Sequence, residues 1–115
     1  MYVWDISWSS KTKGKNKFLD YIVTVRYDSD NNGIAEVTDA LVSDATVYST
    51  LTHVDTGDYW TYSGITDSNG QVTFTQKVTS TGNYKAEVTD ITHSTYTYTP
   101  TLFFFIFKCN KLENV

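Results

Sequence analysis

The chain has 115 residues, 40% hydrophobic and 19% charged, which suits one globular domain and excludes both a two-core protein and a disordered segment. Nineteen threonines, nine tyrosines and six phenylalanines against one proline and one methionine favour pleated, half-buried surface, so the composition reads as all-β. The net charge of −4 is segregated: residues 1–27 carry +3, while from Asp28 to Asp67 eight acids stand without a lysine or arginine, which excludes a broad basic face for nucleic acid.

In chain order, Tyr2, Trp4, Ile6 and Trp8 alternate with smaller and polar residues and predict a first strand. Ser9–Lys17 is polar, holds Gly14, and reads as a loop whose lysines 11, 13, 15 and 17 are solvated or touch an anionic partner. Phe18–Tyr27 reads as a long central strand with Tyr21, Val23, Val25 and Tyr27 on one face. Strands are then expected over Ala45–His53, Tyr59–Ile65, Gln71–Thr79 and residues 83–90, divided by turns at Asp55–Asp58, Asp67–Gly70 and Ser80–Gly82. Tyr96–Phe107 has room for a seventh. About seven short strands with a turn every 8–12 residues predict an all-β, two-sheet antiparallel β-sandwich, with Val23, Val25, Val47, Leu51, Val72, Phe74, Tyr84, Ala86 and Val88 buried.

The stretch between the second and third of these strands has a different character. Asp28-Ser29-Asp30-Asn31-Asn32-Gly33 satisfies D-x-[DN]-x-[DN]-G, with Glu36 at position 9 and Asp39 at position 12. Alternate side chains of such a loop converge on one point, the glycine permits the sharp turn, and the Ile34 carbonyl adds a hard oxygen. The loop resembles the calcium loops of EF-hands and dockerins, which implies calcium at Asp28, Asp30, Asn32, Ile34, Glu36 and Asp39. It departs from them in lacking an exiting helix and in having Asp39, a shorter residue, where glutamate is usual. An acidic hairpin loop without an ion is the alternative.

Val42-Ser43-Asp44-Ala45-Thr46-Val47, then Gly64-Ile65-Thr66-Asp67-Ser68-Asn69-Gly70-Gln71-Val72-Thr73-Phe74, then Gly82-Asn83-Tyr84-Lys85-Ala86-Glu87-Val88, resemble the immunoglobulin-like repeat modules of secreted and cell-surface bacterial and archaeal proteins. The resemblance spans about residues 18–99. It implies an immunoglobulin-like sandwich over 1–101, with 102–115 as an atypical tail or last strand. It implies a non-catalytic spacer, stalk or adhesion role, extracellular or on the cell surface, beside neighbouring modules of a larger exported chain. Tyr84 is placed where such a fold carries a tyrosine corner.

Tyr59-Trp60-Thr61-Tyr62 is the aromatic candidate, and exposed coplanar rings at Trp60 and Tyr62 would make a carbohydrate-binding module the second reading. His53 with Asp55, or His93 with Ser94 and Asp90, are the residues a catalytic triad would use. Without a nucleophile elbow they point away from an enzyme. Cys109 is the only cysteine, so there is neither an internal disulfide nor a zinc framework. No apolar run reaches membrane-spanning length, and no signal peptide is expected in this chain. Leu102–Phe107 breaks the style of the chain: if native, it is expected to pair as a final strand that buries Phe103, Phe105 and Phe107.

Overall fold

A computed structural model of the protein describes residues 1–78 and 82–99 together with the backbone of 107–112. Eight strands follow in order: β1 (Tyr2–Lys13), β2 (Asn16–Tyr27), β3 (Ala40–Leu41), β4 (Thr46–His53), β5 (Tyr59–Ile65), β6 (Gln71–Val78), β7 (Gly82–Thr92) and β8 (Phe107–Leu112). One sheet has β2 at its centre, with β1 on one side and β6 and the short β3 on the other. The second runs β5-β4-β7-β8. Every pairing is antiparallel. The molecule is an all-β two-sheet sandwich, as the alternation predicts, and all nine expected core residues are buried. Chain crossings from β2 to β6 and from β4 to β7 set non-consecutive strands side by side in both sheets.

The core is where the two inner faces meet. Val3, Ile6, Leu19, Val23, Val25, Val72 and Phe74 from one sheet pack on Val47, Leu51, Ala86 and Val88 from the other. Tyr21 lies between the layers, 5.2 Å from the Phe74 ring and 5.6 Å from Trp8. Its hydroxyl shares a 2.7 Å hydrogen bond with buried Ser49 across the sandwich. Burial pushes the Tyr21 hydroxyl well above the usual tyrosine range, and burial likewise raises Tyr62 and Tyr98. Raised folded-state values stabilise the fold fully below the unfolded value of about 10, and that stability is lost as pH rises beyond it. Tyr21→Phe is therefore expected to cost about 1–2 kcal/mol at neutral pH, because Ser49 loses its partner. It should also flatten the loss of melting temperature between about pH 9 and 12; an unchanged alkaline slope would remove Tyr21 as its source.

Two expectations for the first thirty residues change. Ser9–Lys17 is no loop: β1 runs on to Lys13 and pairs with β2 down to Lys13 opposite Asn16, closing through Gly14 at φ 63°. Exposed on both faces, this arm shows no apolar alternation to betray it. Lys11 reaches across it to Asp20 at 3.4 Å. The second change is a β-bulge between Val3 and Asp5. One extra residue reverses the pleat, so Val3, Ile6 and Trp8 face the core where Tyr2, Trp4, Ile6 and Trp8 were expected together. Trp4 instead lies under the Arg26 guanidinium, 5.1 Å from the ring centroid.

At the other end of the chain, β8 begins at Phe107 and pairs with β7 from Glu87 to Gly82. The expected strand over Leu102–Phe107 falls almost wholly outside the described residues. Tyr84 is buried, near the start of β7, and stacks on His53 with ring centroids 4.5 Å apart. The Ser80–Gly82 turn that a tyrosine corner would reach is described only at Gly82.

Candidate functional site

The acidic loop owes its closure to strand register. Tyr27 at the end of β2 pairs with Ala40 at the start of β3. Asp28 and Asp39 are the next residues up that ladder, so positions 1 and 12 of the motif are brought face to face by backbone pairing. Val42 N extends the ladder by donating to Val25 O at 3.0 Å. Between the two ends, Asn31 at φ 54° and Gly33 at φ 73° turn the chain back on itself. Asp28 holds that turn, accepting from Gly33 N at 2.7 Å and from Asn32 N at 3.3 Å.

Asp28, Asp30 and Asp39 each bring a carboxylate oxygen to within 4.8 Å of the others. Of the six expected ligands these three converge. Asn32 is turned inward on the loop: its Oδ1 accepts from Ile34 N at 2.9 Å, while its amide donates to Asp30 at 2.9 Å and to Glu36. Glu36 meets Asn32 and Asp30 through its side chain and Asp39 through its amide, and the Ile34 side chain is exposed.

Sequence reasoning did not find the base of the site. Tyr2, fully buried, passes under the loop and donates its hydroxyl to Asp39 Oδ2 at 2.6 Å. The same oxygen accepts from Glu36 N at 3.2 Å, and Arg26 Nη1 donates to the Asp39 carbonyl. Asp39 is 2% exposed, and its Oδ1 is buried with no hydrogen-bond partner. The short side chain at position 12 is thus held in the cluster by Tyr2. Nothing in the local motif signals this, because residues 2 and 39 meet only through the β1–β2 pairing.

The electrostatics follow from crowding. Burial works to raise Asp28, but the amides of Gly33, Asn32 and Asn31 and a bond from Asp30 outweigh it and hold its carboxyl below the usual range. Asp30 moves the other way: its bond to Asp28, then burial, then Glu36 push it up. Two neighbouring carboxyls whose values part in this way share a site that disfavours the second negative charge.

The aromatic strand divides. Tyr59 is 68% exposed on the outward face of β5, with Thr61. Trp60 and Tyr62 are half-buried against the core, and Tyr62 lies 5.8 Å from the Phe74 ring. They form no exposed coplanar pair, because β5 alternates and its second face is the inner one. His53 is buried, with Nδ1 3.1 Å from Thr56 Oγ1 and Nε2 3.7 Å from Asp55. His93 uses both nitrogens on backbone: Nδ1 accepts from Thr95 N at 2.9 Å, and Nε2–H donates to Ser43 O at 3.0 Å. Asp90 is bonded to Ile91 N. Each histidine thus fastens a turn. Among the described residues no helix is long and apolar enough to cross a membrane.

None of the family models, curated proteins or solved structures compared with the chain matches it.

Proposed function

We propose that this chain is a non-catalytic accessory module of an exported or cell-surface protein, a spacer, stalk or adhesion unit, whose 28–39 loop is fixed by calcium. The observation that carries the reading is the buried, donor-less Oδ1 of Asp39 in a cluster of three aspartates. A buried carboxylate oxygen without a donor is costly, and a cation shared with Asp28 and Asp30 would satisfy it. Calcium binds oxygen at about 2.3–2.6 Å, so ligands can stand up to about 5 Å apart across it; magnesium, at about 2.0–2.1 Å, needs a tighter set. Carboxylate oxygens within 4.8 Å of one another can share one calcium. Few protein ligands imply weak binding, with Kd on the order of 10⁻⁴–10⁻³ M, which is useful where calcium is millimolar, outside the cell.

Terbium tests this directly. Tyr2 donates to Asp39, so terbium bound there should show luminescence sensitised through tyrosine, displaced by calcium and much less by magnesium. Tyr2→Phe should weaken the signal, and Asp39→Asn should remove it. An unsensitised ion would sink the reading. A carbohydrate-binding role keeps only Tyr59 as an exposed ring of the three proposed for it. Insoluble polysaccharides are accordingly expected not to retain the chain; retention lost in Tyr59→Ala would reverse that ranking.

A further inference from the structure

We infer that β5 is a self-docking edge, at which two copies of the chain pair their β5 strands antiparallel and join two sheets into one. The inference concerns a different face from the acidic loop and does not depend on calcium. β5 ends the order β5-β4-β7-β8, so one side of its backbone faces no strand among the described residues. Edges of this kind are normally blunted by charge, proline, bulges or shortness. The other edges obey. β1 carries Asp5, Lys11, Lys13 and a bulge, β3 has only two residues, β6 carries Lys77, and β8 has Lys108 and Lys111 in its sequence. β5, Tyr59-Trp60-Thr61-Tyr62-Ser63-Gly64-Ile65, has no charge and no proline, and pairs with β4 without a register shift.

The outward side chains identify the occupant. Along β5 they run Tyr59, Thr61, Ser63, Ile65: large apolar, small hydroxyl, small hydroxyl, large apolar. Tyr59 is 68% exposed and Ile65 64%, the two ends of one strand. A two-fold axis through Tyr62 sets Tyr59 against Ile65 of the second copy, Thr61 against Ser63, and both again by symmetry. An isologous contact requires residues that complement each other across the two-fold axis, and here large apolar meets large apolar and small hydroxyl meets small hydroxyl. Asp58 and Asp67 lie just outside the strand and fall opposite Thr66 and Gly57, so no acid directly faces an acid. The interface is small, so association is weak and concentration-dependent. Each copy carries −4, so added salt tightens it by screening their repulsion.

Sedimentation velocity on the whole chain over an about hundredfold range of concentration decides the matter. A reversible monomer–dimer equilibrium that tightens with salt is expected. Thr61→Lys with Ser63→Lys sets lysine opposite lysine twice and should leave monomer throughout. Thr61→Lys with Ser63→Glu sets lysine opposite glutamate twice and should restore the dimer. Both positions are exposed, so circular dichroism should show all variants folded. The proposal is overturned by a wild-type chain that stays monomeric, by a dimer indifferent to the two lysines, or by a lysine–glutamate variant no better than the lysine–lysine one.

Discussion

At about 10 mM calcium the melting temperature of this chain should stand roughly 6–11 °C above its value in EDTA. With Kd on the order of 10⁻⁴–10⁻³ M, binding to the folded state alone contributes about 1.4–2.7 kcal/mol, and a domain of this size shifts by about 4 °C per kcal/mol. The variant that separates an ion site from a plain acidic loop is Asp39→Asn. Asparagine keeps an oxygen for the Tyr2 hydroxyl and for Glu36 N, both of which now bond to Oδ2. Its amide replaces the donor-less Oδ1 and can give a hydrogen bond to Asp28 or Asp30. In EDTA this variant should melt higher than the wild type, because a buried unpaired charge is gone. In calcium it should gain nothing. A variant that is less stable in EDTA, or that keeps the calcium shift, would show Asp39 to be structural only.

The Asp30 share of the pH dependence has a definite sign, opposite to that of Asp28, whose lowered value adds stability as pH rises. Asp30 is raised in the folded, metal-free loop, chiefly through its bond to Asp28. A raised folded-state value stabilises below the unfolded one and loses that contribution as pH rises through the folded value. The Asp30 contribution in metal-free protein should therefore be lost as Asp30 ionises, and calcium should offset that loss. Melts in EDTA and in calcium should converge in acid and part as the pH rises towards neutrality. Asp30→Asn should flatten the EDTA curve.

The five long strands β2, β4, β5, β6 and β7 are legible because period-two alternation marks each of them and turn residues bound them, whereas the two-residue β3 is too short to show it. Where a segment has no buried face the pattern falls silent, and the Ser9–Lys13 half of the hairpin arm reads as loop although its ladder with β2 is continuous. A bulge is equally silent. One inserted residue alters neither composition nor hydrophobicity, yet it moves Trp4 off the core and sets Tyr2 beneath the loop. The candidate site divides the same way. Asp28, Asp30 and Asp39 follow from motif spacing, whereas Tyr2 and Arg26 come from a strand pairing that local spacing does not encode. Alternation along β5 separates Tyr59 from Trp60 and Tyr62 without naming the buried face, so the platform stands only as a second reading until the fold sets Trp60 and Tyr62 against the core.

Gly70→Ala should be among the most damaging single substitutions in this chain, and it links the turn chemistry to the loop. Gly70 follows Asp67, whose Oδ1 accepts from Asn69 N at 2.8 Å and Gln71 N at 3.1 Å; the Gly70 amide donates to Asp67 O at 2.9 Å. The turn needs the φ of 71° found at Gly70, a left-handed conformation that costs a residue with a Cβ about 1–2 kcal/mol. Gly14, at φ 63° with open space around it, bears that cost alone. At Gly70 an added Cβ would stand 2.8 Å from Val25 O, 3.1 Å from Leu41 Cβ and 3.2 Å from Val42 N. Those are backbone and strand atoms with no flexible end to yield, and overpacking of this kind costs about a further 1–3 kcal/mol. Urea unfolding should thus show about 1–2 kcal/mol lost in Gly14→Ala and about 2–5 in Gly70→Ala. The atoms struck belong to the β2–β3 ladder that holds Asp28 against Asp39, and Val25 N is itself bonded to Gly70 O at 2.8 Å. Gly70→Ala should therefore also weaken calcium binding, which Gly14→Ala, at the far tip of the hairpin, should leave alone. Equal costs for the two alanines would mean the ladder yields to the added methyl, and unchanged calcium affinity in folded Gly70→Ala would mean the loop is not held by that ladder.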